Sequence, residues 1–225
     1  MAGIFVYGEI GIDNLIAVPY LPNAERAAFP TSDIHHIGGA GANVAVLLAA
    51  WGVPVGLCGN AIGDDDFGLR LHGWLARYPA LDLRWLEVVA GAATPFCRIL
   101  VLPNGERAIL VFGYPQTRKT ELTPAMLAGA RFLALDLYGG PERHAAAALA
   151  RKLGVANVIG DLIWPDHALL PLADILTNSA AYIRQEFPGA DVGAHAAALQ
   201  ARSGGLVITT DGGNAVHTLD RGGAG

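Results

Sequence analysis

The sequence predicts an α/β fold, a doubly wound parallel sheet carrying a small antiparallel β-sheet as a lid, and three observations predict it. From Leu122 onward, short apolar runs alternate with helical segments at the spacing of βαβ units. Before that point, four alternating or apolar segments, "NLIAVPYLP", "SDIHHIGG", "FCRILVLP" and "RAILVFGY", come from two separated stretches, and "PNGE" joins the last two as a hairpin turn. The length of 225 residues suits one sizeable core with a small appendage. The expectation is therefore a single domain over residues 1–225, with its lid formed by residues 12–37 and 96–114, approximately.

The elements follow in order. Ile4 to Tyr7 is a short apolar run ending at Gly8, as a buried parallel strand should. Ala42 to Gly52 reads as a helix closed by glycine, "VPVGLCG" as a strand, and "DDFGLRLHGWLARY" as a helix whose acids sit at its start, where the helix dipole favours them. Thr123 and Pro124 open a further helix, "RFLALDL" is a strand, Pro141 to Leu153 is an Ala-rich helix stopped by Gly154, and "VANVIGD" is a strand. A short helical piece, the strand "ADILTN", helices through "AYIRQEF" and Val192 to Ala201, and the strands "GLVITT" and "AVHTL" complete the run. Met126 and the tryptophans at 51, 74 and 85 fall on apolar faces and read as packing residues.

Composition excludes several partners. A net charge of −5, with no basic cluster longer than "TRK" at Thr117 to Lys119, leaves no electrostatic footprint for nucleic acid. No apolar run approaches the ~18 residues of a membrane span, and "MAGIFVYGEIGID" lacks the basic start of a secretory signal. A cytoplasmic protein with a small-molecule partner is expected. Cys58 and Cys97 stand alone, without C-x-x-C, and read as reduced thiols.

Ligands of open α/β sheets gather beyond the carboxyl ends of the strands, so the loops there come first. In "GEIGIDNL", Gly11 lets the backbone turn and Asp13 offers an acceptor-only carboxylate, either to a ligand or to water. In "HHIGGAGANVAVLLAAWG", Gly38, Gly39 and Gly41 lead into a helix start whose free N–H groups favour oxygen-rich ligands, and Asn43 can donate and accept toward a sugar hydroxyl. The alternative is a structural glycine turn. It is not a dinucleotide fingerprint, because Val44 occupies the third glycine position and the loop does not follow the first strand. Asp136 and Asp161 end consecutive strands, each a candidate helix cap or ligand. Asn178, Thr209, Asp211 and Gly212 follow later strands.

Taken in this order, the loops resemble the ribokinase or PfkB family of carbohydrate kinases. "GGAGANVAVLLAAWG" is similar to that family's N-terminal signature, "GNAIGDDDFG" to the segment after it, and the split β-sheet to its substrate lid. The resemblance implies a ribokinase-like fold, ATP and magnesium as cofactors, and transfer of the γ-phosphoryl group to a sugar or nucleoside hydroxyl. It implies substrate binding by Gly11, Asp13, Gly38, Gly39, Ala40, Gly41, Asn43 and Phe96, and nucleotide binding by Asn178, Thr209, Asp211 and Gly212. Asp161 would hold magnesium through water. Lid sheets that pair between subunits, as in several family members, would give a homodimer. Departures are visible: Ala40 stands where some ribokinases have lysine, Ala181 where N-x-x-E would put glutamate, and Asp211 in place of a usual glycine.

The family's D-x-x-G-A-G-D loop supplies both the anion cradle and the catalytic aspartate. "LDRGGAG", Leu219 to Gly225, copies most of those letters, yet Thr209 is too close to Asp220 for the strands the family places between them, so Asp220 to Gly223 reads as a hairpin turn. The expectation is a chain truncated before loop and base, with impaired turnover, the alternative being a degenerate sugar-binding homologue. A dinucleotide-dependent oxidoreductase is the third reading. His35 and His36 alternate along one lid strand, so they face opposite sides; Thr94 and Phe96 are candidate substrate contacts, and Arg107 is a solvated charge.

Overall fold

The computed structural model describes residues 3–220 and the backbone of residues 223 and 224. In chain order the elements are β1 (Ile4–Gly8), β2 (Gly11–Ala17), β3 (Ser32–Gly38), α1 (Ala40–Ala50), β4 (Val55–Gly59), β5 (Ile62–Gly63), α2 (Asp66–Leu75), β6 (Leu81–Asp82), β7 (Val88–Val89), β8 (Phe96–Val101) and β9 (Arg107–Phe112). They continue as β10 (Phe132–Leu135), α3 (Pro141–Lys152), β11 (Ala156–Gly160), β12 (Ile175–Ser179), α4 (Ala180–Glu186), α5 (Val192–Ser203), β13 (Leu206–Thr210), β14 (His217–Asp220) and β15 (Gly223–Ala224). The chain forms two compact units, one of residues 1–7 with 121–225, the other of residues 8–120.

In the first unit β1, β10, β11, β12 and β13 pair in that order, all parallel, and β14 adds to β13 in the antiparallel sense. Helices connect the parallel strands because a parallel neighbour can be reached only by a crossover. Phe5, Tyr7, Leu133, Ile159, Leu176 and Val207 are buried along these strands. Ala146, Ala147 and Ala150 line the buried side of α3. Asn157, fully buried, ties this layer together: its amide donates to the carbonyls of Ala147 and Leu172, each at 3.0 Å. Asp220 pairs with Gly223 in antiparallel register, as a hairpin requires. The turn expected at Arg221 and Gly222 lies outside the described residues.

The helix expected at Thr123 and Pro124 does not form. Residues 124–129 are successive turns, with N–H groups of Met126 and Ala130 reaching the carbonyls three residues back at 3.1 and 3.0 Å. Gly129, at φ 82°, ends the stretch before enough residues accumulate to offset the cost of nucleating a helix.

In the second unit the lid sheet runs β3-β2-β8-β9. Both flanking pairs are antiparallel, as expected, and "PNGE" turns β8 into β9. The seam between β2 and β8 is parallel, setting Ile12 opposite Phe96 and Asp13 opposite Cys97. No tight turn links those two strands, so nothing forces them to oppose. Beneath lie α1 and α2, with Ala42, Ala45, Leu71 and Leu75 inside. Trp51, expected to pack, is 70% exposed because it caps α1 at a position off that helix's buried stripe.

Candidate functional site

Within the second unit the predicted substrate residues gather around Asp13. Strand pairing puts His36 on one side of it and Cys97 on the other, all on one face of the lid sheet. The half-buried carboxylate accepts hydrogen bonds from the Cys97 thiol and the Asn43 amide. Gly38 belongs to the same arrangement, since a Cβ there would fall on the Asp13 carboxyl group. Gly39 begins α1 at φ 85°, a backbone that L side chains rarely adopt, and an added Cβ would strike the Glu9 carbonyl. That carbonyl accepts the Ala42 N–H at 3.0 Å, fastening the loop after β1 to the first turn of α1. Gly41 packs its α-carbon side against the Gly8 backbone, and the Tyr114 hydroxyl fills the space beside Gly11. Ala40 opens the helix.

Asn60 completes the support. Its side chain both accepts from the Ile10 N–H and donates to the Ile10 carbonyl, at 2.8 Å each, as a neighbouring strand would. The loop preceding Asp13 is thus held by an amide from the "GN" that follows β4. Burial raises the pKa of Asp13 above its usual 3.8, against the opposing pull of the two hydrogen bonds and of His36. Burial, then the charges of Asp13 and Glu9, pushes the Cys97 thiol up to about 11, so it is a donor at neutral pH. A carboxylate held by neutral donors keeps its charge and unused lone pairs for hydroxyl groups of a polyol.

Phe96 is not brought to Asp13. It lies one residue out of phase, on the opposite face, where it stacks on Phe112 at 4.7 Å between ring centroids and meets Phe67 edge-on at 5.3 Å. His35, on that face too, leans on Phe67. Thr94 braces α2. Its hydroxyl donates to Asp65, the N-cap, at 2.6 Å and accepts from the Gly63 N–H at 3.0 Å. Burial opposes ionisation of Asp65, but the Thr94 hydroxyl, the Thr94 N–H and the Gly68 N–H together lower its pKa.

Cys97 and Glu9 were absent from the sequence-based set. The period-two rule would have found Cys97 once the register of β8 against β2 was known. That register joins distant stretches and is not written in either one.

Within the first unit the predicted nucleotide residues are tied to one another. The Thr209 hydroxyl donates to Asn178 at 2.7 Å, and the Asn178 amide donates to the Leu162 carbonyl at 3.2 Å, all three groups buried. Asp211 receives both guanidinium nitrogens of Arg184, at 2.8 and 3.1 Å, which lowers its pKa. Gly212 follows at φ 58° in an open loop. Asp136 holds the fully buried Arg143, which also lies 4.7 Å above the Tyr7 ring.

Asp161 follows β11 at φ 58°, the one non-glycine residue in the left-handed region among the described residues. Its carboxylate accepts from the Tyr138 hydroxyl at 3.4 Å, and Tyr138 is pushed up to about 12, first by burial. No group of three or more His, Cys, Asp or Glu residues converges on a metal position among the described residues. Magnesium bound to nucleotide needs only one or two carboxylates, with phosphate oxygens and water supplying the rest. A single strand-end carboxylate such as Asp161 fits that kind of site and not a resident all-protein cage.

A lid sheet presenting a half-buried carboxylate, beside a glycine turn that opens a helix with asparagine, is the arrangement of an α/β protein of the carbohydrate-kinase class. The family model described as pfkB family carbohydrate kinase matches residues 1–224, and the chain belongs to that family. A curated relative, the ATP-dependent ribose-1-phosphate kinase of Halopiger xanaduensis, is 34% identical over 110 residues, which span 49% of this chain and 36% of the relative. Among solved structures, an Arabidopsis thaliana ribokinase complexed with ribose and ATP superposes with TM-score 0.78 at 18% identity, over 99% of this chain and 76% of that one. A Thermotoga maritima ribokinase gives TM-score 0.75 at 19% identity, over 100% and 77%. These likenesses show the ribokinase-like fold.

Proposed function

We propose that this protein takes part in ATP-dependent phosphorylation of a sugar or nucleoside hydroxyl, in the cytoplasm, with its acceptor bound at Asp13. The observation that carries this reading is the Asp13 arrangement: a charged oxygen flanked by the neutral donors Cys97 and Asn43 and given room by Gly38. Acceptor hydroxyls donate to Asp13, Asn43 orients them, and the free N–H groups at the start of α1 favour oxygens of the same ligand. Transfer is in-line from the γ-phosphate, with magnesium neutralising the phosphate oxygens when bound and Asp161 its candidate protein ligand.

No G-A-G-D occurs in these 225 residues, so none of them is assigned as the base that takes the hydroxyl proton. The second reading, sugar binding without turnover by this chain, is favoured by Asn178, Thr209 and Asp211, whose polar atoms already have internal partners. Calorimetric titration of the 225-residue chain with pentoses, ketohexoses and nucleosides, beside an ATP-consumption assay, tests both. Saturable sugar binding that Asp13→Asn removes is the expected result. Absence of binding by every acceptor would sink the acceptor reading, and turnover by this chain would sink the second.

The lid also has an apolar outer edge. Ile109, Leu110, Val111 and Phe112 of edge strand β9 are all at least 39% exposed, which supports pairing with a second copy through the lid. Sedimentation of a monomer at micromolar concentration would count against it.

A further inference from the structure

Three carboxylates follow parallel strands on one rim of the first unit. Asp136 is the first residue past β10, Asp161 the first past β11 and Asp211 the first past β13, and these strands run in the same direction. Ligands of open α/β sheets sit beyond that rim. A nucleotide placed there would bring its phosphates toward three like charges, which repel them unless cations intervene.

Two arginines sort the three acids. Arg143, fully buried, pairs with Asp136 at 3.0 Å. Arg184, in the last turn of α4, spends two guanidinium nitrogens on the two oxygens of Asp211, at 2.8 and 3.1 Å. The Asn214 amide adds a donor to Asp211 at 3.3 Å, and the Asn214 N–H closes the turn on the Asp211 carbonyl at 2.9 Å. Asp161 meets the Tyr138 hydroxyl and pairs with no cationic side chain among the described residues. The Arg184 side chain is 54% exposed and that of Asp211 15%, so the cation is the member of the pair that solvent meets first. The loop itself is open, since a Cβ on Gly212 or Gly213 would meet nothing within 4 Å.

We propose that Arg184 is a positioning residue for nucleotide binding: it cancels the Asp211 carboxylate, so that Asp161 is the one uncancelled acid of the three and phosphates can approach the loop after β13. The fork geometry of the guanidinium is spent on Asp211, so Arg184 acts through that acid and not as a phosphate ligand. Asp211, a departure from the glycine that the family resemblance leads one to expect, is thereby made harmless to a polyanion by a second residue of the same unit.

The inference rests on the nucleotide reading of the loops after β12 and β13, and the test separates the two. Calorimetric titration of this chain would compare AMP, ADP and ATP for the wild type, Arg184→Gln, Arg184→Lys, Asp211→Asn and the double variant Arg184→Gln with Asp211→Asn. Arg184→Gln should weaken ATP about tenfold, ADP less and AMP least, because the uncovered carboxylate repels each added phosphate, and high ionic strength should shrink the loss. Arg184→Lys keeps the charge and should lose no more than about threefold. Asp211→Asn should tighten ATP, and the double variant, which removes both charges, should return to within about twofold of the wild type. ATP binding by Arg184→Gln at wild-type strength overturns the inference while the nucleotide reading stands. So does a double variant as weak as Arg184→Gln, which would make Arg184 a direct ligand, or weaker ATP binding by Asp211→Asn, which would make the acid one. A loss equal for AMP, ADP and ATP, or one that Arg184→Lys shares in full, assigns Arg184 a merely structural role and overturns it too. Failure of all three nucleotides to bind the wild type overturns both readings. The Arg184 side chain is exposed, so its replacement leaves the fold in place, and an unchanged urea midpoint verifies this in the same samples.

Discussion

Asp13 and Asp211 show how differently the two units treat a carboxylate. Asp13 is half-buried, met by a thiol and an amide, and its pKa is raised. Asp211 is clasped by a guanidinium, and its pKa is lowered. The contrast extends to neighbours: around Asp13 the glycines make room, while in the first unit Asn178, Thr209 and Asp136 are each closed by a partner from the same unit. Residue type is the same in both places. What distinguishes a binding group from a brace is whether its partners neutralise it or leave its charge available.

The largest effect that would test this contrast is on stability, in the first unit. Asp136→Ala leaves the buried Arg143 charge with only Glu142, 3.7 Å away, and should cost about 3 kcal/mol in urea denaturation. Joint replacement by Asp136→Leu and Arg143→Met should recover most of it, and a loss near zero from the single change would show that Asp136 is not a brace.

Next is binding. Asp13→Asn should weaken the acceptor about 100-fold, two charge-assisted hydrogen bonds at about 1.5 kcal/mol each, without lowering the urea midpoint. A parallel loss of stability would place Asp13 among the braces.

Asn178→Ala should cost about 1–3 kcal/mol through the stranded Thr209 hydroxyl and Leu162 carbonyl. If nucleotide affinity falls instead while stability holds, Asn178 is a ligand and the contrast fails there.

A smaller effect is on pH. Acceptor binding needs ionised Asp13, so affinity should fall as pH drops through a value above 3.8, and Asp13→Asn should flatten that profile. The stability contribution has the opposite sense: because the folded pKa is the higher one, it is fully present below 3.8 and lost as pH rises through the folded value. The smallest effect is Arg184→Gln, which should leave the urea midpoint unchanged within error, as an ion pair with an exposed guanidinium contributes little.

Much of this was legible from local signals. The glycine stop at Gly154, the "PNGE" hairpin and the strand alternation from residue 132 onward all stand where apolar period and turn chemistry put them. The gathering of Asp13, Gly38 and Asn43 followed from family resemblance, since nothing local in "GEIGIDNL" says which loop it will meet. The expected helix at Thr123 failed because a start signal does not guarantee enough residues before the next stop. Phe96 and Cys97 turned on one residue of phase, which depends on pairing between β2 and β8. The short strands β5, β6 and β7 carry two residues each, too few for any period to show.

That parallel seam also sets the timing of folding. The β8–β9 hairpin can close as soon as its own few residues are made, but β2 must wait roughly 80 residues for its partner, and closing so long a loop is slow. Hydrogen-exchange pulse labelling during refolding should find the amides of β8 and β9 that bond each other protected first, and those of the β2–β8 ladder last. On the ribosome, β2 emerges with one edge bare until Phe96 follows, and during that interval the chain is most open to pairing with the wrong strand.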